Sequence, residues 1–172
     1  FTDNCELAKY QIKNPINAGF QNSVIRSKVV QDARIPHDRI GEDRIFLLDT
    51  IIKKNTVGVI EDVLVIYNVH SSNISDTNKE KTNYYKSIEI QNALVNAYKK
   101  FGKKVNDKEI KKLINTEVND IMFWHIAYNG YLALGKNKEA RLIMKEIAFS
   151  LPLKFKFIKT YLSTLLKSIY KR

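Results

Sequence analysis

The sequence has a single cysteine, Cys5, among its 172 residues. No internal disulfide can form, which excludes a disulfide-built secreted scaffold. Six glycines and three prolines exclude collagen-like and low-complexity chains, and an apolar share of 44% excludes wholesale disorder. Long hydrophobic runs are also missing. The most apolar stretch, Ile121 to Leu134, is broken by His125, Asn129 and Gly130 and is too short and polar to span a bilayer. The chain opens on Phe1 without a basic-then-apolar leader. That reads as no signal peptide, in a chain that is either processed or part of a longer one. The sequon Asn73-Ile74-Ser75 therefore lacks the secretory context it needs.

Acidic residues are scarce in one half only. Lys and Arg number 29 against 18 Asp and Glu, a net charge of +11. Residues 1–78 hold 9 basic and 10 acidic residues, a net of −1, so residues 79–172 carry +12. Residues 151–172 contain Lys154, Lys156, Lys159, Lys167, Lys171 and Arg172 and no acid. Such an excess invites a nucleic-acid or anionic-membrane partner. No helix-turn-helix, zinc-finger or RNA-recognition signature accompanies it, so no specific nucleic-acid partner is expected.

Periodicity divides the chain in the same place. In the first part, Gln21 to Val30 reads as a short strand leading into a short helix. Ile45, Leu48, Ile51 and Ile52 recur at helical spacing and predict a helix from Glu42 to Lys54. The β-branched runs Val57–Ile60 and Val63–Tyr67 predict two strands. Ser71 to Asn83 reads as a linker. Beyond it the pattern is helical, with predicted helices over Tyr84–Phe101, Lys108 to about Thr116, Val118 to Leu134, Asn137–Ser150 and Leu153–Lys171. Gly102, Gly135 and Pro152 serve as stops. The fold class expected is α+β, with residues 1–78 as one part and an all-α extension over 79–172.

The stretch with most chemistry is Gly41-Glu42-Asp43-Arg44. Two carboxylates open a helix directly after a glycine that permits a tight turn and close approach of another molecule. A helix N-terminus stabilises such charges, and a carboxylate at a cleft edge can act as a general base. Taken alone, the same residues read first as ordinary capping acids, because acids are common in a first helical turn. Downstream, Tyr67-Asn68-Val69-His70 closes an apolar run before a Ser/Asn loop, and a histidine there is suited to holding a metal or phosphate.

Together these segments resemble the C-terminal part of a family 2 glycosyltransferase domain of the GT-A type. The Gly-Glu-Asp helix opening matches Gly41-Glu42-Asp43, and the Tyr-Arg-x-His strand end matches Tyr67-Asn68-Val69-His70. The run Gly19 to Arg26 is similar to the strand before the acceptor-side helix. The resemblance covers roughly residues 10–78. It implies an inverting enzyme that transfers a sugar from a nucleotide-sugar donor to an acceptor hydroxyl, in bacterial surface polysaccharide synthesis. Asp43 would be the general base and Glu42 its orienting partner, with Gly41 and Arg44 at the substrate. His70 would help hold a divalent Mn or Mg ion or the diphosphate. His37 and Asp38, just upstream, are candidates for lining the acceptor site but read first as a solvated loop. The acceptor would be a sugar or lipid-linked sugar, and the protein would be cytoplasmic, peripheral at the inner face of the membrane.

Two departures qualify the match. Asn68 stands where the family has Arg, and no Asp-x-Asp metal motif occurs anywhere. Only 42 residues precede Asp43, too few for a donor-binding unit. The resemblance therefore implies the acceptor-side portion of an enzyme, inactive by itself.

The helical part supports a different class of function. Trp124, Tyr131, Ala140 and Pro152 fall at tetratricopeptide spacings, which for one unit means an ordinary helical hairpin with Trp124 in its core. In the last helix Phe155, Ile158, Leu162, Leu165, Leu166 and Ile169 form an apolar stripe among lysines. That composition suits an anionic membrane surface bound through residues 153–172, and equally a stripe that packs on the helical bundle with its lysines merely solvated. The alternative function is thus a basic helical interaction module, for protein, membrane surface or polyanion, without catalysis.

Overall fold

The computed structural model describes residues 3–15, 23–32, 40–53, 56–58, 81–148 and 155–169. They divide into two compact units that interleave along the chain. One comprises Phe1–Ser71 with Asn96–Glu117, the other Ser72–Val95 with Val118–Arg172.

The first unit begins with helix α1 (Asn4–Lys13). Asp3 caps it, its carboxylate accepting the Cys5 N–H at 2.9 Å. Capping satisfies an amide that the helix start leaves open. Leu7, Ala8, Gln11 and Ile12 fall on one face and are buried. That face packs on α3 (Glu42–Ile52), which buries Ile45, Phe46, Leu48 and Ile51. Asn4 Nδ2 donates to the Ile51 carbonyl at 2.9 Å, closing one acceptor near the end of α3. Between these two lies the short α2 (Ser27–Asp32).

Helix α4 (Lys81–Lys104) and helix α5 (Lys108–Asp120) each run through both units. Their connection is short because Asp107 turns the chain, accepting the N–H groups of Glu109 and Ile110 at 2.9 Å. A Cβ on Gly102 would lie 3.3 Å from Ile114 Cγ2, so the glycine lets α4 and α5 approach closely. Tyr98, Ile12, Leu48, Ile51, Ile114 and Gln11 are the large, fully buried side chains among the described residues of the first unit.

In the second unit α5 continues without a break into a π-helix over Ile121–Leu132. Gly135, in the left-handed conformation at φ 71°, reverses the chain into α6 (Asn137–Ala148). Helix α6 packs on the π-helix with Ala140, Met144 and Ile147 inward. Helix α7 (Phe155–Ile169) then lies on α6, with Phe157 and Thr164 buried. Arg141 fastens the pair, Nη1 donating to the Thr164 carbonyl at 2.7 Å.

The expected α+β class is overturned. The described residues are 83% helical and contain no strand, so the fold they form is all-α. Ser23 to Arg26 forms no strand, and α2 follows it. Val57 and Gly58 are likewise in no strand, and the rest of both β-branched runs lies outside the described residues. β-branched composition favours a pleated surface only where a partner strand supplies the ladder. One helix and two helical boundaries also differ. Residues 4–13 form a helix that periodicity did not predict, α4 passes through Gly102 rather than stopping there, and the expected break near Val118 is absent.

Candidate functional site

The sequence-predicted site begins at the start of α3. Gly41 adopts φ 80° and ψ 7°, a left-handed backbone that a side chain would strain. Its carbonyl accepts the Ile45 N–H at 2.9 Å, the first bond of the helix. No side chain caps this end, so Glu42 and Asp43 supply the negative charge in its first turn. Asp43 Oδ1 accepts the Arg44 N–H at 2.7 Å, which fixes the carboxylate beside the helix start. Gly41, Glu42, Asp43 and Arg44 are all half-buried.

Arg44 is near enough to Tyr98 of α4 for its charge to act on the phenol. Burial pushes the Tyr98 phenol upward, the Arg44 guanidinium pulls it back, and the Glu117 carboxylate adds to the rise. The Tyr98 ring is fully buried, and its hydroxyl has no hydrogen bond of normal geometry among the described residues. Arg44 therefore acts on it mainly as a nearby charge. Gln11 and Thr50 add two further buried polar side chains to this unit. Tyr98 is a site neighbour that the sequence did not reveal, because its approach to Arg44 depends on packing between helices far apart in the chain.

His70 lies outside the described residues, as do His37 and Asp38. The structure thus brings together Gly41, Glu42, Asp43 and Arg44. Among the described residues no group of three or more His, Cys, Asp or Glu side chains could hold a metal ion. Glu42 and Asp43 alone do not make a ligand set for Mn or Mg, and no chemistry is routed through one here.

A second cluster lies in the other unit. Phe123, Trp124 and Tyr128 of the π-helix meet in edge-to-face and tilted contacts, with Phe123 and Trp124 ring centroids 4.8 Å apart. Phe157 of α7 joins them at 5.5 Å from Phe123, and Tyr161 stacks on Phe157. Lys156 Nζ sits 4.4 Å from the Trp124 ring centroid and 5.3 Å from that of Tyr128. Trp124 is consequently half-buried beneath a lysine, not in the core of the hairpin where the tetratricopeptide spacing put it. His125 beside it is exposed by area, yet partial burial of its imidazole lowers its pKa. The i, i+4 spacing of Trp124 and Tyr128 was visible in the sequence, but not the lysine that covers them.

No helix among the described residues is long and apolar enough to cross a membrane. Compared with known protein families, with curated proteins and with solved structures, the chain matches none.

Proposed function

We propose that this chain supplies the acceptor side of an inverting sugar transferase that uses a nucleotide-sugar donor. The observation that carries this reading is the start of α3, where Gly41 is left-handed and Glu42 and Asp43 form the first helical turn. In the proposed step Asp43 takes the proton of the acceptor hydroxyl. That oxygen attacks the anomeric carbon of the donor as the bond to the diphosphate breaks. Glu42 orients the acceptor, and Gly41 lets it approach the backbone. A carboxylate positioned in this way contributes about 10²–10⁴-fold to the rate.

The test is sugar transfer by the full-length gene product, with lipid-linked and free oligosaccharide acceptors. Asp43→Asn is expected to lower kcat by about 10²-fold or more with little change in KM for the donor. Full activity in that variant would reject Asp43 as the base. A second reading, a helical interaction module without catalysis, draws support from α7, whose outward face is apolar. Absence of transfer from any nucleotide sugar would favour it.

A further inference from the structure

Helix α7 has two apolar faces, and only one is used. Phe157 and Thr164 face inward, with Tyr161 and Leu165 partly covered. Phe155, Ile158, Leu162 and Leu166 are 82%, 39%, 52% and 55% exposed. At about 100° per residue these four fall within an arc of about 80°, one continuous stripe. Scattered exposed apolar residues need no explanation, but four aligned along one helix do.

The charges around the stripe are of one sign. Lys159 borders it directly, and Lys167 lies further round the same flank. Neither makes an ion pair among the described residues, whereas Lys156 is held over Trp124 and Tyr128. Residues 151–172 contain no acid that could neutralise them. We infer that α7 binds the surface of an anionic lipid bilayer, lying in the plane of the interface with the Phe155–Ile158–Leu162–Leu166 stripe among the acyl chains and the lysines at the headgroups. Fifteen residues span about 22 Å, which suits an interfacial helix and is too short to cross.

Other occupants fit less well. A second copy paired along this stripe would bring like-charged lysines together, which costs free energy. A nucleic acid would use the lysines and leave the apolar stripe in water. A bilayer surface uses both, because apolar insertion and attraction to anionic headgroups add. This inference stands on α7 alone and does not depend on sugar transfer.

The experiment is co-sedimentation of the whole chain with phosphatidylcholine vesicles, with and without phosphatidylglycerol. Binding is expected to the anionic vesicles, reduced but not abolished by salt. Leu162→Glu with Leu166→Glu, and separately Lys159→Glu with Lys167→Glu, are each expected to lower it at least about tenfold. All four positions are exposed, and circular dichroism checks that helicity is kept. Equal binding to both vesicle types, or no binding, overturns the inference. So does unchanged binding by the Leu162/Leu166 variant, which would leave a purely electrostatic polyanion surface. Self-association abolished by that variant, without vesicle binding, also overturns it in favour of a second copy.

Discussion

The ammonium group of Lys156 lies 4.4 Å from the ring centroid of Trp124, and this contact ties α7 to the π-helix. Trp124 is the only tryptophan in the chain, so its fluorescence reports on that junction. Lys156→Met keeps most of the aliphatic stem and removes the charge. It is expected to shift the emission maximum and to destabilise the second unit by about 0.5–1 kcal/mol, the worth of an exposed cation over a ring. Thermal unfolding followed by tryptophan emission checks both effects. An unchanged spectrum and midpoint would mean that the lysine contributes nothing there.

Gly130 is set against α4 by close packing. A Cβ added there would lie 2.6 Å from Ile88 Cγ1 and 3.0 Å from the His125 carbonyl. Neither neighbour is the free end of a flexible chain, so the backbone must shift. Gly130→Ala is therefore expected to cost about 1–3 kcal/mol despite the better helix propensity of alanine. Ile88→Ala removes the nearer obstacle. In a double-mutant cycle the two losses should sum to more than the double variant shows, by about 0.5 kcal/mol or more. Strict additivity in denaturant titrations would rule out the clash.

These two positions also show what was readable in advance. The helices from residue 81 onward were visible because their apolar residues repeat at helical spacing and Gly135 marks a real stop. Gly102 looked like another stop, but it is a packing glycine against Ile114, and sequence alone does not separate those roles. The π-winding of Ile121–Leu132 was hidden because a stretch so rich in apolar residues fits either helical register. Helix α1 was missed because one of its four inward residues is Gln11, which blurs the stripe. At the site, the helix opening at Gly41-Glu42-Asp43 is local information and was legible. The nearness of Arg44 to Tyr98 depends on residues 54 positions apart and was not.

Tyr98 provides a test of buried polarity. Its hydroxyl is buried without a normal hydrogen bond among the described residues. Tyr98→Phe removes that group and keeps the ring, so stability should be unchanged or rise by up to about 1 kcal/mol. Tyr98→Ala should instead cost about 3–5 kcal/mol through the cavity it leaves. A clear loss in the phenylalanine variant would mean that the Arg44 contact holds the unit together. The wild-type protein adds a pH signature. Burial raises the phenol in the folded state, so its contribution to stability is complete below the unfolded value near 10. That contribution is lost as pH rises from there through the higher folded value. Tyr98→Phe should flatten this part of the alkaline stability profile.

Lys9 is the last test, and its effect should be small. Its Nζ reaches Glu6 at 2.9 Å and Glu109 at 3.0 Å, joining α1 to α5 within the first unit. Hydrogen bonds to these two carboxylates raise its pKa, Glu6 first. A raised lysine stabilises fully below its unfolded value, near 10.4, and the benefit fades as pH climbs through the folded value. Both glutamates are well exposed, so solvent and salt screen the interaction. Glu109→Gln breaks the contact between the helices and spares the one within α1. It should lower the melting temperature slightly in low salt at neutral pH, and the difference from wild type should vanish in molar salt, where the screening length falls to about 3 Å. A difference that persists in high salt would mean that Glu109 acts through packing and not through charge.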